Sequence, residues 1–236
     1  MKLDIWFDYA CPFCYLGQRN LQAAINALKH KDQININYHS YLLQPDAPRN
    51  SNSTIHELIA LKYGTTVDHA KRMNEHIAEQ AREAGLIFRF DTMKPTNTVD
   101  AHRLTHYAKE QGKDHELTEL IFSAYFTDSL HIGDDATLQK LANEIGLPQE
   151  EVSDVLKNGK YKSDVEDDLQ TGIQIGIQGV PFFVFNNKYA ISGAQSSETF
   201  KEVLMDVWEE EHNEGLVALK NQAKSEFCTG DSCDQI

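Results

Sequence analysis

Two short stretches near the start of the chain alternate apolar and polar residues with a period of two. Leu3, Ile5 and Phe7 share one face of "KLDIWFD", and Ile34, Ile36 and Tyr38 share one face of "ININYHSYLL". Each reads as a strand with one face on a core. Between them Leu21, Ala24, Ile25 and Leu28 recur at helical spacing. The pattern predicts strand, helix, strand, and a right-handed crossover makes the two strands parallel. Two prolines and a polar cluster in "QPDAPRNSNS" then break it.

From there to about residue 176 the spacing is helical. Ala70, Met73, Ile77 and Ala81 form one stripe, with Gly85 placed to end it. Residues 97 to 111 and 114 to 127 predict two further helices. Leu138, Leu141, Ala142 and Ile145 predict another, closed by Gly146 and Pro148, and Val165, Leu169 and Ile173 mark a last one before Gly176. Strand character returns in "VPFFVFNNKYAI". Its first run scarcely alternates, as in a strand covered on both faces, and Asn186-Asn187 suits a tight hairpin because asparagine tolerates positive φ. Phe200, Val203, Leu204, Val207 and Trp208 complete an amphipathic helix, capped by Ser196 or Ser197. The expectation is an α/β fold in which a sheet domain, residues 1–45 and 177–212, is split by a helical insertion domain, residues 46–176. A polar tail, residues 213–236, follows.

Composition narrows the class. Of the 236 residues 41% are apolar and 25% charged, ordinary values for a globular chain long enough to bury a core without disulfide staples. A net charge of -14 argues against nucleic acid and anionic lipid as partners. No stretch approaches the roughly 18 apolar residues of a membrane span, and "MKLDIWFDYACPF" lacks an apolar leader core. The expected compartment is the cytoplasm, where thiols stay reduced and a close cysteine pair is catalytic or metal-binding more often than structural.

That pair is Cys11 and Cys14 in "YACPFCYLG", at the junction of the first strand and its helix. Pro12 suits the first helical turn. Free N–H groups and the positive end of the helix dipole stabilise a thiolate at Cys11, and Cys14, one turn deeper, is placed to attack a mixed disulfide formed there. A zinc site needs four ligands, and the other cysteines, Cys228 and Cys233, lie far off in the tail, so no metal is expected. A structural Cys11–Cys14 link would constrain little chain entropy.

These residues resemble a known family. "FDYACPFCYLG", followed far down the chain by "GVPFFVFNNKYAISGAQ", is similar to the DsbA family of the thioredoxin superfamily, and within it to the FrnE-like oxidoreductases. The resemblance runs from residue 3 to about 210 and includes the "NTVDAHRL" segment. It implies a thioredoxin-like fold with a large all-helical insertion, Cys11 as attacking thiol, Cys14 as resolving thiol, and Pro181 as a cis-proline facing them. It implies protein or low-molecular-weight thiols and disulfides as substrates, with no cofactor. Val180 would pair with an extended substrate through its backbone, with Pro12 and Phe13 beside the thiols. Phe13 stands where strongly oxidising members carry His, which suggests a potential nearer roughly -200 mV than about -120 mV. The alternative on the same fold is a glutathione-dependent transferase or isomerase of the kappa or chromene-carboxylate type. Such relatives carry Ser at the Cys11 position and need no Cys14, so the intact pair argues against them. A zinc-binding or chaperone-like module is a third reading.

Other groups have plainer readings. His102 and His106, four apart on a helix, lack a third ligand and read as packing or solvated residues. Glu209–Glu211 read as a solvated helix end, and "SGAQ", residues 192–195, as a turn entering a helix, the place where glutathione-using relatives hold a carboxylate. Phe13, Tyr15 and Phe182 fit either the core or a groove beside the thiols. In the tail "CTGDSC" separates Cys228 and Cys233 by four small or polar residues, a segment that bends easily enough to bring them within disulfide reach. The pair is either two incidental thiols or a second redox pair relaying electrons to Cys11–Cys14.

Overall fold

The computed structural model describes residues 1–212 and, beyond them, the backbone of residues 226–229 and 233–235. Strand β1 (Lys2–Phe7), helix α1 (Pro12–Asn26) and strand β2 (Asn35–Ser40) form the opening unit, and β1 and β2 pair in parallel from Lys2 with Asn35 to Phe7 with Ser40. Seven helices follow: α2 (Ile55–Tyr63), α3 (Val67–Glu83), α4 (Val99–Glu110), α5 (Asp114–Phe126), α6 (Asp135–Glu144), α7 (Gln149–Lys157) and α8 (Lys162–Gln174). The chain then returns through β3 (Gly179–Val180), β4 (Phe182–Phe185), β5 (Tyr189–Ser192) and α9 (Ser197–His212). The main sheet has the order β2-β1-β4-β5, with β4 antiparallel to both β1 and β5.

Local chemistry explains the boundaries. Thr54 and Glu57 form a reciprocal capping box at the start of α2, and Gly64 ends it at φ +61°. Asn186 and Asn187 both take positive φ, 49° and 54°, in the turn joining β4 to β5. Ser196 caps α9 by accepting from the Thr199 N–H at 3.1 Å.

Three expectations from the apolar pattern are corrected. Both faces of β1 are covered, since Asp4 and Trp6 are as buried as Leu3, Ile5 and Phe7. The alternation in the sequence reflects a buried polar network on the second face, not solvent. Conversely β4 does alternate, with Phe183 and Phe185 buried and Phe182 and Val184 partly open. Only its inner face meets a full layer, where Phe183 packs edge-on against Phe200 of α9. In α8 the buried face is Val165, Asp168 and Gly172, while Ile173 is 67% exposed. Polar partners of Asp168 rotate this helix away from the orientation its aliphatic stripe predicts.

Those partners join the helical block to the sheet. Asp168 accepts from His39 Nδ1 at 2.6 Å and the Ser40 N–H at 2.7 Å, and His106 Nε2 stands 3.1 Å away. His39 Nε2 also meets Asp4 Oδ1 at 3.1 Å, so its ring bridges two carboxylates and stacks on Trp6 at 4.3 Å. Trp6 closes the circuit by donating from Nε1 to the Asp168 carbonyl at 3.2 Å. On the opposite flank Tyr15 of α1 stacks on Phe122 of α5, 5.0 Å between ring centres.

The surroundings of the bridge favour its charged forms. Burial disfavours the His39 cation, but hydrogen bonds to Asp168 and Asp4 outweigh burial and hold the imidazole above its ordinary value. Burial likewise works against the Asp168 carboxylate, and the bonds from His106 and His39 overcome it and hold the group far below the usual range. Asp4 is lowered in the same manner by His39 and Lys2. A raised His contributes stability in full below about pH 6.5 and loses it as pH rises through the folded value. A lowered Asp contributes in full above about pH 4 and loses it as pH falls through the folded value. The bridge is therefore strongest between about pH 4 and 6.5. Asp168→Asn is expected to cost about 3 kcal/mol at pH 5.5, with the gap from wild type narrowing towards pH 9. Urea unfolding at both pH values checks this, and a gap independent of pH would rule out a charged bridge.

Candidate active site

The β1 strand runs out at Phe7, and a single buried carboxylate organises the turn that follows. Asp8 Oδ1 accepts from the Ala10 N–H at 3.1 Å and from Thr98 Oγ1 at 2.7 Å, while Oδ2 accepts from the Leu43 N–H at 2.7 Å. Its carbonyl accepts from the Cys11 N–H at 3.0 Å. His102 Nε2 stands 3.5 Å from Oδ1, beyond a well-formed hydrogen bond. Thus Asp8 ties the end of β1, the entrance of α1, the segment after β2 and the start of α4 to one point.

Cys11 follows as the N-cap residue of α1 in an extended conformation, and Pro12 takes the first helical position. The Cys14 N–H donates to the Cys11 carbonyl at 3.1 Å, one turn in. Both cysteines are free thiols, and Cys11 Sγ lies 3.6 Å from the Val180 carbonyl oxygen. The Val180–Pro181 peptide is cis. The Gly193 N–H, at φ +78°, donates to the Pro181 carbonyl at 2.8 Å, and Asn20 of α1 donates to the Gln195 carbonyl at 2.8 Å. The "SGAQ" turn thereby fastens the proline loop to α1.

The structure thus brings Cys11, Cys14, Val180, Pro181 and Pro12 together, and corrects two expectations. Cys11 is not an open thiol: it is 0% exposed, against 2% for Cys14. Phe13, at 4%, belongs to the core and lines no groove, as does Tyr15. Burial pushes the Cys14 thiol well above its ordinary value, and neighbouring Cys11 pushes the same way. Burial of this kind favours the neutral thiol over the thiolate. His102 is buried beside Asp8, His106 is partly buried against Ser40 and Asp168, and among the described residues no group of three or more such side chains is placed to hold a metal ion.

The tail contributes backbone. Strand β6 (Glu226–Thr229) pairs antiparallel with β3, placing Cys228 opposite Val180, and with β7 (Cys233–Gln235), placing Cys228 opposite Cys233. The β6 strand also runs beside α1. The side chains of Cys228 and Cys233 lie outside the described residues.

Two site residues escape a reading of the sequence alone. Asp8 carries no motif of its own, and only its position at a strand end before the cysteines hints at burial. Gly17 looks like an ordinary helical glycine. A Cβ there would stand 3.2 Å from Pro181 Cγ, 3.3 Å from Phe183 Cζ and 3.4 Å from Ala194 Cα, so α1 approaches the proline loop only because this position is bare.

A four-stranded mixed sheet with a cysteine pair capping its first helix, opposite a proline loop, defines a thioredoxin-like thiol oxidoreductase fold. The chain belongs to the DSBA-like thioredoxin domain family, which it matches over residues 2–205. It is 33% identical to a probable DsbA oxidoreductase from Streptomyces coelicolor of known crystal structure, with a TM-score of 0.84, covering 99% of this chain and 98% of that one. The uncharacterized protein YwbO of Bacillus subtilis is 26% identical over 210 residues, 87% of this chain and 96% of its own. The cytosolic disulfide reductase DsbM of Pseudomonas aeruginosa, also solved with GSH, shares the fold at 16% identity and a TM-score of 0.61, over 90% of this chain and 98% of that one.

Substitution of Gly17 tests the packing of the loop. Alanine gains about 1 kcal/mol of helix propensity against close contacts that include backbone, while valine adds bulk with no such relief. Gly17→Val is expected to lose about 2 kcal/mol or more by denaturant unfolding, with Gly17→Ala near neutral. Equal stability of the valine variant and wild type would show that the loop yields.

Proposed function

We propose that the protein is a thiol–disulfide oxidoreductase of the FrnE-like kind, working through a mixed disulfide at Cys11. The observation that carries this reading is the contact of Cys11 Sγ with the Val180 carbonyl at the start of α1, with the shielded Cys14 one turn below. As a thiolate, Cys11 attacks one sulfur of a substrate disulfide. A Cys11–substrate S–S bond forms, the substrate bond breaks, and the departing sulfur leaves as a thiolate. Cys14 gives up its proton and attacks Cys11 Sγ, expelling the second substrate thiolate and leaving the Cys11–Cys14 disulfide. Two electrons have passed to the substrate, and the reverse sequence oxidises a dithiol. Protein disulfides and low-molecular-weight thiols such as GSH are the substrates, and no cofactor takes part. Val180 and the adjoining Pro181 form the edge that receives an extended substrate backbone, with Pro12 at its border. The split of the chain into a thioredoxin-like unit and a helical insertion supports this role by placing helices beside the thiols. Among the described residues no helix is long and apolar enough to cross a membrane. We place the exchange in the cytoplasm, where four cysteines with two in one redox pair suit a reducing environment.

The intact pair favours this reading over a glutathione-dependent transferase or isomerase, which needs no resolving thiol. Cys11→Ser should abolish disulfide exchange, and Cys14→Ser should accumulate mixed disulfides visible by mass spectrometry. Full activity in Cys11→Ser would overturn the assignment.

Cys228 and Cys233 form a second redox pair in this proposal, exchanging its disulfide with Cys11–Cys14. Their opposite placement on β6 and β7, and that of Cys228 beside Val180, support it at the level of the backbone. The strand also stands where a substrate backbone would enter, so it must leave for a protein substrate to bind. Truncation after residue 225 is expected to raise the alkylation rate of Cys11 about tenfold or more and to slow regeneration of the first pair. Unchanged alkylation and unchanged turnover would dismiss both roles of the tail.

A further inference from the structure

An apolar cavity of about 170 Å³ reaches the residues on either side of Cys11, Ala10 and Pro12. Ala10 and Pro12, the residues flanking Cys11, form its inner end, while Ile59 of α2, Met73 and Ile77 of α3 and Tyr125 of α5 form its walls. Two polar lining groups are already engaged elsewhere: the Asn74 amide with His56 Nδ1 at 3.0 Å, and Thr96 Oγ1 with the Arg49 carbonyl at 2.6 Å. An apolar cavity of about 150 Å³ accepts benzene, so this one has room for a single phenyl-sized group.

Charge adds a second criterion. In a chain of net charge -14, the residues lining this cavity include no carboxylate and one cation, Lys62, which lies 5.7 Å above the Tyr63 ring. A cationic occupant would find no partner, and a neutral or anionic one meets no repulsion. The Val180 edge, by contrast, reads backbone and is indifferent to side groups.

We infer that the cavity is a specificity pocket for the group next to the attacked sulfur, and that the preferred substrates are disulfides carrying a neutral or anionic aromatic or branched aliphatic group a few bonds from that sulfur. The inference rests on Cys11 as nucleophile. With the group seated between α2 and α3, its sulfur lies at the Ala10–Pro12 end. Cys11 attacks that sulfur, the substrate S–S bond breaks with the other half leaving as a thiolate, and Cys14 then releases the apolar thiolate by forming the Cys11–Cys14 disulfide. The pair's two electrons reduce the substrate, and no further reductant is needed for one turnover.

The test uses the full chain, pre-reduced, in single-turnover reactions with the benzyl mercaptan–glutathione mixed disulfide and with glutathione disulfide. Seating a phenyl ring predicts a rate advantage of about tenfold or more for the benzyl compound. Ile59→Trp and Met73→Trp, which fill the cavity from positions that already touch solvent, should erase that advantage while leaving the glutathione disulfide rate and the melting temperature near wild type. A Phe-Cys against a Ser-Cys peptide disulfide separates a peptide source of the apolar group from a small-molecule one, since only the former shows the preference in both formats. Sulfur-free 3-phenylpropionate, followed by calorimetric titration, should bind wild type and not the filled variants, whether or not exchange occurs. Binding without exchange upholds the pocket and overturns the exchange reading. Exchange with a rate ratio near one, and no 3-phenylpropionate binding, overturns the pocket and leaves the exchange reading standing.

Discussion

A carboxylate sealed from solvent demands donors, and Asp8 finds them on three separate segments: the Ala10 N–H, the Leu43 N–H and the Thr98 hydroxyl. Leaving such a group unpaired would cost several kcal/mol, so the segments cannot drift apart independently. The Cys11 N–H on the Asp8 carbonyl extends the constraint to the thiol itself. The position of Cys11 is thus set by the end of β1, the exit of β2 and the start of α4 together, before substrate arrives.

The Asp168 bridge does for the far side of the sheet what Asp8 does for the cysteine turn. It holds α8 against β2 and β1 through the His39 ring shared by Asp168 and Asp4, and α4 through His106. Both devices use buried polar groups where hydrophobic packing alone would leave the approach angle open. Buried hydrogen bonds are directional, and removing one partner is far more damaging than its net contribution suggests. The helical block is consequently held on both flanks, by charge at Asp168 and by aromatic stacking of Tyr15 on Phe122.

This arrangement gives the two cysteines unlike surroundings. Cys11 caps the helix beneath the Val180 carbonyl, while Cys14 is enclosed and its thiol form favoured. Cys11 is completely buried, and the neighbouring β3 backbone is paired with the tail strand β6. The apolar cavity is lined by α2, α3 and the residues flanking Cys11, a set distinct from the Val180 edge.

The βαβ opening, the helical block, the Asn-Asn hairpin and the final helix were legible because each depends on local periods and turn chemistry, which a sequence carries directly. The cysteine pair was legible for the same reason: its spacing and its Pro12 place it on a helical turn. What local pattern could not supply was which face each element buries. Nothing in the local pattern marks Asp4, Asp8 and Asp168 for burial, yet all three are buried, because donors far away in the chain converge on them. Phe13 fitted either the core or a groove on a local reading, and packing encloses it together with Cys11. Gly17 is helical on any local reading, and only the approach of Pro181 and Phe183 limits the bulk it can carry. Sequence by itself determined the elements and the reactive chemistry. Tertiary structure decided burial, hydrogen-bond partners and access, because these depend on contacts between residues distant in the chain.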